Sequence, residues 1–483
     1  MGLISKIKGW WNSMFAKEAK KAFEVESVSS QEMDFAILNW LNIYRGFPTW
    51  VSKEDRVKTI NFAKTICSET ARLTTLALGI ELDGGPRAEY LQNRIDNVLM
   101  PKLRNWVELG CASGTVVFKP NGEGADIVTP DRFFVVDKDG NGNISGIIFE
   151  DTYQSGKKYY TKLEYHRYLN ASVRMPGEES EKDVTYYMIS NKTYKSDNLQ
   201  GIGKECDISE TKWKNLLPEV TITKNNGDKI NSMLFGVFRM PAANNIDFDS
   251  PLGMAIFSES IEEMKDLDVA YSRNAGEIFD SENIELVDDR LLMRSGSKVN
   301  ADSEIKLPHH VHNVFGQGAD NFYQAIERPL RTDMRISGMN NLLSLIGYKC
   351  GYSNGYFVFD QKTGMVTATQ VESDDRRTIQ TIKDIRDALQ VAVNGYLYAE
   401  SVFADLYDLA PIGEYEANYS FGDITYNYEE DKMHHYQLAV AGKYPWEEYY
   451  VEYLNYSRED ARRLLKMARE ENKEADQEGL FGK

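Results

Sequence analysis

The feature that most constrains this chain is an uninterrupted helical pattern between residues 369 and 405. Apolar residues recur there at the spacing of one helix face, and no proline interrupts them. The pattern is carried by Val371, Ile379, Ile382, Ile385, Leu389, Val393, Leu397 and Val402. At 1.5 Å per residue such a helix would be about 50 Å long, roughly three times the length of an ordinary helix. We therefore expect a large part of the fold to lie along it.

A loop rich in glycine and aromatic residues separates this helix from an earlier helix that ends at Gly347. The loop runs from Tyr348 to Gly364, and Gly351 and Gly355 within it permit bending. The residues alone leave two interpretations open. The loop is either a connector whose aromatic side chains form a plug, or a segment that projects into a central channel.

The rest of the chain alternates between helical and strand-like stretches, which predicts an α+β fold. The predicted helices are 31–82 (mostly helical), 87–109, 251–278, 329–347, 431–441, 446–454 and 459–474. The predicted strands are 133–137, 144–150, 159–169, 186–189 and 415–428, and residues 282–327 form a compact α+β insert that opens with a strand. A chain of 483 residues is too long for one compact core, so we expect about two to four structural units.

The net charge and the spacing of the cysteines limit the classes of protein to which this chain can belong. The 74 acidic and 56 basic residues give a net charge of −18, whereas a protein that reads DNA sequence normally carries a basic surface. The four cysteines are widely spaced, which predicts reduced thiols and assembly inside a cell. No apolar run approaches the roughly 18 residues that a membrane helix needs, so we expect no membrane span.

Residues 1–25 form a basic amphipathic segment. Its apolar stripe consists of Ile4, Ile7, Trp10, Trp11, Met14 and Phe15, flanked by five lysines. Such a helix can lie on a membrane surface. Docking on a neighbouring subunit or partner is the interpretation we favour.

Several motifs suggest chemistry but lack a required residue. The stretch from Asp137 to Ile148 fits four positions of a calcium loop, yet isoleucine stands where the bidentate glutamate is needed, so a β-hairpin turn is the better interpretation. His309, His310 and His312 are too close together on one strand to converge on a metal ion. No nucleophile elbow or phosphate loop is complete. We expect no enzyme, metal or cofactor, although a hydrolase or nuclease site assembled from dispersed residues stays open.

Four short motifs carry a resemblance to the portal proteins of tailed bacteriophages, in the subgroup found in phages of Gram-positive bacteria. The motifs are Met339 to Tyr348, Gly355 to Asp360, Lys362 to Gly364 and Thr367 to Val371. They resemble the end of a stem helix, the tunnel loop and the start of the wing helix. The order of elements is similar over about residues 30–475.

The resemblance implies an α+β phage portal architecture with wing, stem helices, clip, tunnel loop, long wing helix and helical crown. Its boundaries in this chain would be: N-terminal amphipathic segment 1–25, wing 26–249, first stem helix 250–276, clip 277–329, second stem helix 330–347, tunnel loop 348–368, long wing helix and return strand 369–428, and helical crown and tail 429–483.

The implied function is structural. A homo-oligomeric ring, most often a dodecamer, would sit at the portal vertex of the capsid in the virion, after assembly in the host cytoplasm. Double-stranded DNA would pass through it without sequence recognition during packaging and ejection. The large terminase, a head-tail adaptor, and the major capsid and scaffolding proteins would be its partners, and ATP hydrolysis would belong to the terminase. The alternative is a minor head or adaptor protein without a channel.

The resemblance also assigns candidate site residues. In the tunnel loop, Lys349, Tyr352, Tyr356 and Lys362 would face the DNA channel. In the clip, Arg290, Arg294 and Lys298 would dock partner proteins.

Overall fold

The structure is a computed structural model in which the chain forms two compact units, Met1–Phe421 and Gly422–Lys483. It describes residues 19–51, 56–174, 181–198, 201–223, 230–279, 284–288, 311–314, 323–326, 330–359, 368–422, 428–440, 443–454, 456, 458 and 461–467. Helices and sheets are mixed, so the α+β prediction is confirmed. The amphipathic stripe predicted at the N-terminus lies outside the described residues. Of the helices that the structure describes, none is long and apolar enough to cross a bilayer.

Four helices lie between Gln31 and Ser113, after a helical stretch over residues 19–23. They are α1 (Gln31–Tyr44), α2 (Phe62–Thr74), α3 (Pro86–Arg94) and α4 (Met100–Ser113), with a π-helical turn (Ile95–Leu99) between α3 and α4. Ser30 caps α1, because its hydroxyl accepts a hydrogen bond from the Met33 N–H at 3.3 Å. Gly114 ends α4 in the left-handed conformation, with φ at +80°.

The end of the stretch predicted as helical is a strand. β1 (Gly79–Gly84) pairs antiparallel with β14 (Tyr415–Ser420). The helical prediction is therefore wrong from Gly79 onward, because a partner strand far along the chain overrides the local pattern. The strand predicted from Tyr415 is confirmed over its first six residues.

The largest sheet contains six antiparallel strands. In chain order they are β4 (Phe133–Lys138), β5 (Ile144–Ser155), β6 (Lys158–Arg174), β7 (Glu181–Ser196), β8 (Lys204–Cys206) and β9 (Glu219–Ile222). Neighbours pair in sequence order from β4 to β8, and β9 pairs with β7. The strands predicted here are confirmed. The apolar face of this sheet packs on Ala19 and Phe23, so the described start of the chain belongs to the core.

The predicted long helix is confirmed as α7 (Ala368–Leu406, 39 residues). It packs against a three-stranded sheet of β2 (Thr115–Pro120), β3 (Ala125–Val128) and β10 (Gly236–Arg239), in the order β10-β2-β3. The helix and β10 approach backbone to backbone: a Cβ on Gly236 would lie 2.0 Å from the Ala392 carbonyl oxygen. Arg87 is buried and contacts the C-terminal end of α7. It forms an ion pair with Asp405 and donates a 2.7 Å hydrogen bond to the Ser401 carbonyl.

The smaller unit is helical, as predicted. It contains α8 (Tyr428–Val440), α9 (Trp446–Leu454) and a further helical stretch over residues 461–467. Aromatic rings join its first two helices, with the centroids of Tyr436 and Trp446 5.7 Å apart. Arg462 donates a 2.9 Å hydrogen bond to Glu447.

Candidate functional site: a helical hairpin and the loop that follows it

Two helices of the larger unit form an antiparallel hairpin. They are α5 (Ile261–Phe279) and α6 (Thr332–Lys349). Near the end of α5 and the start of α6, Glu277 forms an ion pair with Arg335. At the opposite end, near the start of α5 and the end of α6, Glu263 forms an ion pair with Lys349. These pairs join opposite ends of the two helices, so the helices run in opposite directions.

The first helix of the hairpin begins later than its sequence predicts. Residues 251–257 are not helical, and α5 begins at Ile261 after a short 3₁₀ turn, so the predicted start at Pro251 is wrong. The amides that would enter a helix bind α4 and β2 instead: the Gly253 N–H donates to Thr115 Oγ1 at 2.8 Å, and the Ile256 N–H donates to the Cys111 carbonyl at 2.9 Å. The end predicted near Ile278 is confirmed.

A small sheet lies between the two helices in sequence. Its strands are β11 (Ile284–Asp288), β12 (Val311–Val314) and β13 (Tyr323–Ile326), in the order β12-β11-β13. β11 pairs parallel with β12 and antiparallel with β13. The predicted strand from Ile284 is confirmed, whereas Arg290, Arg294 and Lys298 lie outside the described residues.

The first half of the predicted tunnel loop is part of the core. Only 1% of the Tyr352 surface is exposed, and its hydroxyl lies 2.7 Å from Thr70 Oγ1 on α2. Its ring packs 4.8 Å from that of Phe357, which in turn meets Phe62 at 5.3 Å. Tyr352 is therefore packed within the chain in this structure, and its predicted contact with DNA stays a prediction.

The other predicted loop residues have different environments. Lys349 is the last residue of α6, and besides its ion pair it donates a 3.0 Å hydrogen bond to the Glu259 carbonyl. Tyr356 is half-buried and donates a 2.5 Å hydrogen bond to Glu69. Burial and that carboxylate raise the pKa of the Tyr356 hydroxyl far above its usual value, so it stays protonated. Lys362 lies outside the described residues.

Two cations beside the loop escaped the sequence analysis. Arg376 and Arg377 are exposed on the first third of α7. The Arg377 guanidinium lies 3.9 Å from the centroid of the exposed Tyr348 ring and donates a 3.0 Å hydrogen bond to the Tyr348 carbonyl. An exposed guanidinium stacked on an aromatic ring is a suitable contact for a phosphate or a base. Their position opposite the apolar stripe of α7 was the available signal.

A buried ionic network between β2 and the large sheet also escaped the sequence analysis. Glu164 forms ion pairs with Lys119 and Lys162, and the His166 Nε2–H donates to it at 2.7 Å. The Tyr187 hydroxyl donates to His166 Nδ1 at 2.7 Å. Burial alone would raise the pKa of Glu164, but the two lysines outweigh burial and hold it well below its usual value. These groups are buried from solvent, and they link β2 to the large sheet.

The calcium-like motif forms a turn. The Asp139 carboxylate accepts hydrogen bonds from the backbone N–H groups of Asn141 and Asn143 at 2.9 and 2.8 Å, which lowers its pKa. The turn joins β4 to β5, so the β-hairpin interpretation is confirmed. Across the part of the chain that the structure describes, no group of three or more His, Cys, Asp or Glu residues is arranged to hold a metal ion.

No protein-family model matches the chain, and no curated protein matches it.

Proposed function

We propose that this chain is a portal protein that forms a ring at one capsid vertex. Double-stranded DNA would pass through the ring during packaging and ejection, and the large terminase and a head-tail adaptor would dock on it. One observation carries the proposal: an antiparallel helical hairpin brackets a three-stranded sheet and leads through a loop into a 39-residue helix. This is the order of stem, clip, stem, tunnel loop and wing helix in the resembling family.

The exposed surface of the hairpin supports assembly into a ring. On α6, Met334 is 77% exposed and Leu345 and Tyr348 are about half exposed, although other residues of the same helix pack inward. Apolar residues on the outer face of a helix point to a protein partner. Head-to-tail contacts between identical copies close into a ring when the rotation between them closes.

The charge of the chain supports passage rather than binding. A channel that conducts any DNA sequence should neither read bases nor retain phosphates. A chain with a net charge of −18 repels a polyanion overall, which keeps the dwell time short. A few exposed cations, such as Arg376 and Arg377, reduce the repulsion locally.

The test is the state of the purified chain. We expect negative-stain images to show hollow rings, and light scattering to give about 660 kDa for twelve copies of the 55.1 kDa chain. A monodisperse monomer at micromolar concentration, or particles without an open centre, would refute the proposal. An adaptor without a channel would assemble only with its partners, and a hydrolase or nuclease would turn over substrate.

A further inference from the structure

One loop of the larger unit holds a phenylalanine out in solvent. Phe248 is 91% exposed, yet the loop around it is held by several hydrogen bonds. The Asn244 side chain accepts hydrogen bonds from two backbone amides of the loop at 3.0 Å. The Asp247 carboxylate accepts hydrogen bonds from the backbone N–H of Ser30 at 2.6 Å and of Ser250 at 3.2 Å. We call this exposed side chain the Phe248 knob.

The knob has the properties of a binding anchor. A large apolar side chain gains most by leaving water, and a fixed loop loses little entropy when that side chain is buried by a partner. Its surroundings are acidic: Asp247 and Asp249 flank it, and the Asp249 side chain is 91% exposed, 3.3 Å from Lys138. A suitable receptor is therefore an apolar hole with a basic rim.

A pocket of this description lies elsewhere on the same unit. It has a volume of about 300 Å³, several times that of a phenyl ring, and lies between the end of α2 and the first half of α4. Its apolar lining is Leu76, Leu78, Met100 and Leu103. Arg72 and Arg104, both exposed, stand at its rim. Arg72 also pairs with Glu69, so Arg104 is the better partner for an incoming carboxylate.

The knob lies outside the pocket of its own chain, since Phe248 is 91% exposed. The segment that follows β10 and leads to the knob is attached at the C-terminal end of α4, where the Met240 N–H donates to the Gly114 carbonyl at 2.9 Å. The pocket includes Met100 and Arg104 in the N-terminal half of the same helix. Ten residues of helix, about 15 Å, separate Arg104 from Gly114. Knob and pocket on separate surfaces make a head-to-tail contact, the kind that closes a ring.

We infer that the Phe248 knob of one copy enters this pocket on the next copy, with Asp249 facing Arg104. The inference rests on the proposed ring and adds to it a pair of surfaces that joins neighbouring subunits. It combines an exposed apolar anchor, a pocket large enough to take it, and opposite charges around the two.

Two variants each remove one half of the contact. Phe248→Ser removes the knob, and Leu76→Glu puts a carboxylate in the pocket, where it repels the acidic flanks of the knob. Phe47→Ser is the matched control, because Phe47 is also exposed, at 69%, but lies outside the loop. We expect each of the two variants to raise the concentration needed for half-assembly at least about tenfold, as loss of an anchor does, and the control to assemble like the wild type. Rings from both variants at wild-type concentration would overturn the inference.

A disulfide cross-link tests the same contact in subunits that fold normally. In a Cys206→Ser background, Asp249→Cys and Arg104→Cys, which leave the knob in place, are introduced together and separately, and assembled rings are oxidised. We expect a ladder of covalent oligomers from the double variant and none from either single variant. Rings without a ladder would overturn the knob contact and leave the proposed function standing. If the wild type forms no ring, the proposed function fails, and the inference fails with it.

Discussion

Removing the hydroxyl of Tyr352 should weaken the attachment of the loop to α2 by a calculable amount. The Thr70 hydroxyl donates its only proton to the Ile66 carbonyl at 2.8 Å, so in the 2.7 Å contact Tyr352 is the donor and Thr70 accepts. Tyr352→Phe keeps the ring in its packing and leaves the Thr70 proton satisfied. The loss is therefore that of one buried neutral hydrogen bond, about 1 kcal/mol.

The matching substitution on α2 isolates this bond. Thr70→Val removes the acceptor together with the bond to Ile66, so it should cost more than Tyr352→Phe. In the double variant the shared bond is lost only once. The cost should then be about 1 kcal/mol less than the sum of the two single costs.

The assay is urea unfolding, followed by tryptophan fluorescence, in the wild type, the two single variants and the double variant. The free energies of unfolding are compared only if the m-values, their slopes against urea concentration, are equal. Tyr407→Phe is the control, since that side chain is 70% exposed and its replacement should change the free energy of unfolding by less than about 0.5 kcal/mol. A coupling energy within about 0.3 kcal/mol of zero would refute the reasoning, because the loop would then not be held by this bond.

Three further predictions follow from contacts elsewhere in the larger unit. Gly236→Ala places a Cβ 2.0 Å from the Ala392 carbonyl oxygen, so it should lower the free energy of unfolding in urea by about 1–3 kcal/mol, and an unchanged value would contradict the close packing. Burial lowers the pKa of His166 from 6.5, so the unfolded chain binds a proton that the folded chain excludes. The free energy of unfolding should therefore fall as the pH drops below about 6.5. Urea midpoints measured over this pH range should fall less steeply in His166→Gln than in the wild type. Glu277→Arg and Arg335→Glu should each lower the free energy of unfolding by about 1 kcal/mol, the contribution of a half-buried ion pair, and so lower the thermal midpoint. The double exchange should restore the midpoint. A midpoint that stays low would contradict the antiparallel hairpin.

The elements that the sequence predicts well are those whose pattern is long and local. The 39 residues of α7 keep one apolar face without proline, so their periodicity alone identifies the helix. The strands of the large sheet are rich in β-branched and aromatic residues, and the Asp139 turn supplies the residue types that a hairpin needs. The sequence predicts α5 from its apolar stripe, although the helix begins ten residues later than expected, and α6 from Pro329 near its start and Gly347 near its end.

The wrong predictions share a cause: residues far away in the sequence pair with the backbone or the side chain concerned. β1 becomes a strand because β14 pairs with it. The segment after Pro251 stays extended because Thr115 and Cys111 accept its amide protons. The burial of Tyr352 likewise depends on Thr70, on a helix near the other end of the unit. None of these partners lies within the window that local periodicity samples.

The outer face of α6 is the feature that separates a ring subunit from a monomeric protein. Its apolar residues occupy two sides of the helix: Leu343 and Ile346 are buried in the chain, whereas Met334 and Leu345 are exposed. A helix at the surface of a monomer normally has one apolar face and one polar face. Under the proposed assembly a neighbouring copy would cover the second apolar side, and the net charge of −18 would keep the subunits apart in solution before they meet. A monomeric enzyme with a dispersed site would need neither property.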